Sequence, residues 1–119
     1  MDELREVTVT PDRYVTYLYA GASGDFNPIH LDDEFARSVE LPSKILHGLW
    51  TMAQVARAQT DAVGDPLALK SLSVQFRGMG VPEQEITITS KPRGDGEFDT
   101  EAVQNGNKLV RRGRAVLKL

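Results

Sequence analysis

Asp25 and His30 are an acid and an imidazole separated by four residues, which include Asn27 and Pro28. Proline fixes its own φ and asparagine favours turns, so the backbone between the two side chains is restricted. A carboxylate and an imidazole held on one stiff turn can share a water molecule, take one proton from it and deliver another to a bound molecule. Addition of water across a conjugated double bond needs both operations. The spacing therefore indicates acid–base chemistry on water.

Two other interpretations of these residues stay open at this point. Residues 24–28 on their own are more typical of an ordinary tight turn than of a catalytic site. A divalent metal is the other alternative, because the chain offers a group of possible ligands, namely Asp25, His30, Asp32, Asp33 and His47. The spacing disfavours it, since a calcium loop needs glycine where His30 lies and no HExxH pair is present. We expect no metal and no cofactor, and we expect Asp32 and Asp33 to cap a helix.

The composition is that of one globular domain over residues 1–119, with 40% hydrophobic and 26% charged residues. The net charge of -3 argues against sequence-independent binding to nucleic acid, which needs a surplus of Lys and Arg. The absence of cysteine excludes disulfides, zinc-thiolate sites and thiol nucleophiles. No secretory signal and no apolar run of about eighteen residues is visible, so we expect a cytoplasmic protein without a membrane span.

Three helices are predicted in the first half of the chain. Residues 10–12, Thr-Pro-Asp, are typical of a helix start and predict a first helix over residues 11–21. Its predicted apolar face consists of Tyr14, Val15, Leu18 and Tyr19. A short second helix is expected after its cap Asp32, with a buried side formed by Phe35, Ala36 and Val39. The longest helix is predicted over residues 47–63, and its apolar first half predicts that it is largely enclosed.

Strands are predicted at the start of the chain and throughout its second half. Alternation of apolar and polar residues predicts strands over residues 72–77 and 86–89. Glycine-containing reversals at 94–96 and 105–106 predict two more strands, 98–104 and 108–118, as an antiparallel hairpin. A short strand is expected over residues 4–9. This order predicts an α+β fold in which a curved antiparallel sheet wraps around the long central helix.

The segment that carries Asp25 and His30 belongs to a longer pattern. Residues 19–30 read Tyr-Ala-Gly-Ala-Ser-Gly-Asp-Phe-Asn-Pro-Ile-His and are followed by Ala36. This pattern resembles the hydratase motif of the MaoC-like (R)-specific enoyl-thioester hydratases. Residues 45–52, Ile-Leu-His-Gly-Leu-Trp-Thr-Met, resemble the stretch with which these proteins enter their central hot-dog helix. Two specific blocks at a family-like separation favour this family over an ordinary turn.

The resemblance implies a single hot-dog domain that adds water reversibly across the 2,3 double bond of an enoyl thioester, giving the (R)-3-hydroxyacyl thioester. Asp25 and His30 match the pair that holds and activates the water in the family, and Asn27 is expected to help fix their loop. Gly48 matches the position whose backbone N–H faces the thioester carbonyl. A free N–H at a helix start suits the charge that builds on that oxygen in an enolate-like transition state. His47 is expected to have a supporting role.

The orientation of Asp25 is left open by this resemblance. Some relatives place a serine in the central helix to orient the catalytic acid. After Gly48, this helix offers Thr51, Gln54 and Thr60, and no serine. The sequence therefore does not indicate which group holds Asp25.

Two rival functions are compatible with the same fold. A hot-dog thioesterase directs water at the carbonyl carbon, but its usual acid lies in the central helix, and residues 48–60 contain no Asp or Glu. A non-catalytic subunit that only shapes an acyl tunnel would be expected to lack Asp25 and His30. The chain is similar instead to the small dehydratase subunits of actinobacterial fatty acid elongation. The expected substrate is an acyl-CoA or an acyl-carrier-protein thioester, and the expected partner is a second hot-dog subunit, in a homodimer or a heterodimer.

Overall fold

The computed structural model describes residues 5–118 and places strand, helices and four further strands in the predicted order. The helices are α1 (Val15–Ser23), α2 (Asp33–Ser38) and α3 (Gly48–Val63), with a 3-10 turn at Pro28–His30 between the first two. The strands are β1 (Arg5–Val9), β2 (Leu69–Phe76), β3 (Ile86–Gly94), β4 (Glu97–Gln104) and β5 (Asn107–Leu117). Residue 4, with which the first predicted strand begins, lies outside the described residues.

All five strands pair antiparallel in one sheet, in the order β1-β3-β4-β5-β2. The reversals that join β3, β4 and β5 lie where they are predicted, because Gly96 has a φ of 69° and Asn105 and Gly106 have φ of 50° and 78°. Positive φ at two successive residues is what a two-residue type I′ turn needs. The predicted hairpin is confirmed, and β1 and β2 form the two edges of the sheet.

The core lies between α3 and one face of this sheet. Val55 and Ala58 of the helix belong to one buried apolar cluster with side chains of the strands. The strand members of the cluster are Ile86, Ile88, Ala102, Leu109 and Val110. Burial of apolar surface between the two layers holds the helix against the sheet. The predicted α+β arrangement, a curved antiparallel sheet on a long central helix, is therefore confirmed.

The first helix begins at Val15, later than predicted. The carboxylate of Asp12 accepts a hydrogen bond from the backbone N–H of Tyr14 at 2.7 Å, and its carbonyl accepts one from Val15 at 3.1 Å. An Asp side chain that bonds two residues onward forms a turn that competes with helix. Residues 11–14 therefore make a turn in front of α1 instead of its first helical turn.

The apolar faces predicted for α1 and α2 are confirmed only in part, since Val15 packs against the core cluster and Ala36 is buried. Thr16 and Ala20 are the buried residues of α1, and Ala36 is the buried residue of α2. Asp32 caps α2 as predicted, whereas Asp33 is the first residue of the helix and accepts a hydrogen bond from the N–H of Lys44. Small side chains allow a helix to approach its neighbours closely, whereas Val15 and Tyr19 are half-buried and the other large side chains of the predicted faces lie outside. The exposed residues of the predicted faces are Tyr14, Leu18, Phe35 and Val39.

The central helix is covered on one face only. Its buried residues recur every three or four positions and are Thr51, Val55, Ala58 and Gln59, whereas Leu49 is 62% exposed. The prediction that its first half is largely enclosed is therefore wrong for a single chain, because one sheet covers one side of a helix and leaves the other sides to a further layer. Among residues 5–118, no helix combines the length and the apolar character that crossing a membrane requires.

Candidate active site

The loop that carries the predicted acid and imidazole begins where α1 ends. Gly24 has a left-handed φ of 79°, and its N–H donates to the carbonyl of Ala20 at 2.8 Å. A left-handed residue after the last helical turn is a common helix stop, and glycine takes this conformation without steric cost. Gly24 therefore turns the chain out of the helix immediately before Asp25.

Asn27 fixes the shape of the loop through two hydrogen bonds. Its backbone N–H donates to Oδ1 of Asp25 at 3.2 Å, and its side-chain oxygen accepts from the N–H of Ile29 at 3.2 Å. The second bond caps the 3-10 turn that begins at Pro28. The first bond ties the orientation of Asp25 to the backbone of the same loop, and the supporting role of Asn27 stays a prediction.

His30 is buried at the end of this turn, with 7% of its surface exposed. Its Nδ1 lies 2.9 Å from the carbonyl oxygen of Ile45, and a carbonyl only accepts hydrogen bonds, so Nδ1 carries the ring proton. The lone pair is then left on Nε2, which lies 3.8 Å from Oδ2 of Asp25. This gap is too long for a direct hydrogen bond but admits one water molecule within hydrogen-bond distance of both atoms.

His47 lies behind this pair and is 3% exposed. Its ring stacks on that of His30, with centroids 3.8 Å apart and planes inclined by 19°. Tyr19 contacts the same ring at a centroid distance of 4.8 Å. The Nε2 atom of His47 lies 3.0 Å from the backbone carbonyl oxygen of Asp25 and donates to it. The histidine at the start of α3 is therefore in direct contact with both members of the predicted pair.

Gly48 is the first residue of α3, and His47 is its N-cap residue. A backbone N–H at the first helical position has no acceptor within the helix and lies at the positive end of the helix dipole. A Cβ atom at Gly48 would lie 3.3 Å from the ring of Phe76, tighter than usual van der Waals contact. Phe76 therefore lies directly beside the predicted oxyanion donor.

His30, Gly48 and Phe76 meet at a cleft of about 300 Å³. His30, Gly48 and Thr51 line it on the helix side. The other lining residues that are buried, and so form its floor, are Ile45, Leu46, Gly80 and Leu109. The lining residues that are exposed, and so form its rim, include Phe76, Arg77 and Met79. An apolar floor beside a few convergent polar groups suits a small ligand with an acyl chain.

The sequence prediction missed the groups that hold the site. The carbonyl of Ile45 fixes the proton on His30, and Phe76 and Met79 shape the mouth of the cleft. Ile45 begins the second family-like block, but every residue has a backbone carbonyl, so the residue type does not indicate this hydrogen bond. Phe76 and Met79 come from the end of β2 and the segment after it, which only the fold brings to Gly48.

Three of these side chains also form a possible metal site. Asp25, His30 and His47 each offer a ligand atom, and these atoms lie within 4.8 Å of one another. Imidazole binds a metal along the in-plane lone pair of one nitrogen, and stacked rings direct their lone pairs side by side instead of at one point. One nitrogen of each ring is also engaged by a carbonyl. The geometry favours a water molecule between His30 and Asp25, and the absence of a metal stays a prediction.

The fold is that of a hot-dog protein in which His30 and the N-terminus of α3 meet at one cleft, with the carboxylate of Asp25 3.8 Å from His30. Residues 1–112 match the family described as MaoC like domain, and the chain belongs to this family.

Three comparisons show which proteins it is similar to. It is 36% identical over 93 residues to enoyl-CoA hydratase 2, peroxisomal, of Arabidopsis thaliana, which covers 76% of this chain and 30% of that protein. It is 42% identical over 74 residues to the fatty acid synthase subunit beta of Aspergillus oryzae, covering 60% of this chain and 4% of that protein. The crystal structure of a MaoC-like dehydratase from Phytophthora capsici superimposes with a TM-score of 0.89 at 30% identity, over 96% of this chain and 40% of that one. The chain thus spans less than a third of these two curated relatives.

Proposed function

We propose that the protein adds water reversibly across the 2,3 double bond of an enoyl thioester and forms the (R)-3-hydroxyacyl thioester. The observation that carries this proposal is the 3.8 Å gap between Nε2 of His30 and Oδ2 of Asp25, beside Gly48 at one cleft. Membership of the MaoC-like family and the likeness to an enoyl-CoA hydratase support the reaction class. The (R) configuration rests on the family alone.

The proposed reaction uses one water molecule held between the two side chains. Nε2 of His30 accepts a proton from the water as its oxygen bonds to C3, and the carboxylate of Asp25 accepts the second hydrogen bond of that water. The electrons of the double bond move toward the thioester oxygen, where the N–H of Gly48 stabilises the enolate-like charge. The proton held by His30 then passes to C2 and restores the neutral thioester. Dehydration is the same sequence in reverse.

A thioesterase is the nearest rival on this fold, and the position of the acid argues against it. The central helix has no Asp or Glu from residue 48 to residue 60, so the cleft receives no carboxylate from α3 in that stretch. Asp25 and His30 both lie on the preceding loop, on one side of Gly48. A non-catalytic subunit is disfavoured because the pair is present, with Nε2 of His30 and Oδ2 of Asp25 close enough to bind the same water molecule.

The test is to incubate the purified protein with trans-2-butenoyl-CoA and to identify the product. We expect loss of the conjugated thioester absorbance, formation of 3-hydroxybutanoyl-CoA of one configuration, and no free thiol. Release of free thiol without a hydroxyacyl product would establish the thioesterase instead. Coenzyme A and an acyl carrier protein both present the acyl group on a phosphopantetheine thiol. A parallel series with the same acyl group on an acyl carrier protein therefore varies the carrier alone, and the higher kcat/KM identifies the preferred carrier.

We also propose that a second hot-dog chain, alike or unlike, covers the uncovered side of α3. Leu49 on that side and Phe76 and Met79 at the rim of the cleft are large apolar residues that are more than half exposed. Exposed apolar residues beside an edge strand are typical of an association surface. Light scattering of the purified chain measures whether it pairs with itself. The cytoplasmic location stays a prediction, and the name of the Arabidopsis relative includes the word peroxisomal.

A further inference from the structure

The carboxylate of Asp25 is not held by the central helix. Its side chain is 53% exposed, and Oδ1 accepts a hydrogen bond from the N–H of Asn27 at 3.2 Å. Within residues 5–118, no side-chain hydrogen bond joins Thr51, Gln54 or Thr60 to this acid. An exposed carboxylate on a loop needs some other anchor if it is to keep a fixed distance from His30.

That anchor is visible on the backbone of the same residue. Nε2 of His47 donates to the peptide oxygen of Asp25 at 3.0 Å, across 22 residues of sequence. The bond ties the loop to the first turn of α3, where Gly48 offers its N–H. The ring of His47 is itself fixed by contacts with His30 and Tyr19. The acid, the imidazole and the oxyanion donor are thus held together by one buried side chain.

Helix capping does not explain a histidine at this position. His47 is the N-cap residue of α3, but its side chain makes no capping hydrogen bond. Serine, threonine, aspartate and asparagine are the residues that stabilise a helix at that position. The Nδ1 atom of His47 is also buried without a partner among the described residues, an arrangement that costs stability.

We propose that His47 is the positioning residue for Asp25, acting as a neutral imidazole that carries its proton on Nε2 and binds the peptide oxygen of the acid. This inference rests on the proposed hydration reaction. In some relatives a serine of the central helix orients the catalytic acid. Here a hydrogen bond from His47 to the backbone of Asp25 has that role.

Two substitutions separate the donor from the ring. His47→Gln keeps an N–H donor at a similar reach but has no ring, whereas His47→Phe keeps a ring that stacks on His30 but has no donor. If positioning depends on the donor, kcat for the hydration of trans-2-butenoyl-CoA falls at least about tenfold more in His47→Phe than in His47→Gln, with KM within about twofold of the parent. If His47 served only to pack its ring on His30, kcat would fall more in His47→Gln than in His47→Phe. Equal losses in both variants, or a normal kcat in His47→Phe, would overturn the proposal.

A double substitution tests whether His47 acts through Asp25. Asp25→Asn keeps the peptide oxygen but removes the carboxylate that is to be positioned. Residues that act as one unit give non-additive losses, so adding His47→Phe to Asp25→Asn should lower kcat by less than about twofold. A further loss as large as that of His47→Phe alone would show an independent role and would contradict the proposal.

A measurement on the unsubstituted protein stands even if the Phe variant does not fold. The chain has two histidines, so the imidazole signals in a long-range nitrogen-15 spectrum belong to His30 or His47. The signals that disappear in His47→Gln are those of His47. We expect the proton of His47 on Nε2 and that of His30 on Nδ1. A proton on Nδ1 of His47 in an active protein overturns this inference, whereas absence of hydration in a protein with the expected tautomers overturns the proposed function.

Discussion

His30 and His47 stack ring on ring at 3.8 Å, yet they bond to the protein through different nitrogens. His30 donates from Nδ1 to the carbonyl of Ile45, and His47 donates from Nε2 to the carbonyl of Asp25. The first bond leaves the Nε2 lone pair of His30 free to face a water molecule. The second bond holds the residue whose carboxylate faces the same water. Two identical side chains thus have different tasks because different carbonyls fix their protons.

Removal of either member of the pair should abolish most turnover. Asp25→Asn and His30→Ala should each lower kcat by about a hundredfold or more, because each loses a group that binds or deprotonates the water. Asp99→Asn is a matched control, since that carboxylate is 50% exposed, as Asp25 is 53% exposed, but lies on β4 in an ion pair with Arg93. Steady-state kinetics with a short enoyl-CoA measure all three. Near-normal turnover in both site variants would place the chemistry elsewhere.

The oxyanion role of Gly48 can be tested by deleting its N–H. Proline is favoured at the first helical position, and His47, with φ -67° and ψ 133°, already has the conformation that a following proline requires. Gly48→Pro should therefore preserve α3 but lower kcat by about a hundredfold to a thousandfold. Gly48→Ala is the control, because it adds the same Cβ near Phe76 and keeps the N–H. Equal activity of the two variants would exclude this donor.

The floor of the cleft should limit the length of the acyl chain. Leu46 is buried, lines the cleft and packs on Gly80, where an added Cβ would lie 3.0 Å from its Cδ1. Leu46→Ala should lower the free energy of unfolding by about 2–5 kcal/mol and shift the preference toward longer enoyl groups. The control Leu67→Ala changes a residue that is exposed and should alter stability by less than about 0.5 kcal/mol. An unchanged chain-length profile in Leu46→Ala would show that acyl groups do not reach this floor.

Asp33 should contribute a pH-dependent part of the stability. The backbone N–H of Lys44 donates to its Oδ1 at 2.8 Å and lowers the pKa of this carboxyl, and the charges of Lys44 and Arg37 lower it further. A depressed pKa in the folded state gives stability that is present above the unfolded pKa of about 4 and is lost as the pH falls through the folded value. Urea unfolding should therefore show Asp33→Asn less stable than the parent near neutral pH, with the difference shrinking in acid. A difference that does not vary with pH would contradict this assignment.

Local sequence patterns predicted much of the fold and all of the proposed catalytic residues. The turn at Asn105 and Gly106, the cap Asp32 and the helix after His47 each depend on neighbouring residues, and the structure confirms them. The two contacts that assign the imidazole protons could not be predicted, because both acceptors are backbone carbonyls brought close by the fold.

The errors also have local physical causes. The start of α1 was predicted too early because Asp12 can cap a helix or form a turn, and here it forms the turn. An irregularity in β5 was not predicted at all: Arg112 has a φ of 50° where the pairing of this strand with β2 shifts its register. Arg111 lies opposite Gln75, and Arg114 lies opposite Ser73. Strand β5 therefore has one extra residue in this stretch, as in a β-bulge. A bulge of this kind has no reliable signature in a single sequence.

The fate of the water oxygen tests the central claim most directly. The protein is incubated with trans-2-butenoyl-CoA in oxygen-18 water, and the products are examined by mass spectrometry. If Asp25 and His30 direct water to C3, one labelled oxygen appears in the hydroxyl group of 3-hydroxybutanoyl-CoA and the thioester stays intact. Labelled oxygen in a free carboxylate, together with free coenzyme A, would show attack at the carbonyl carbon and contradict the account.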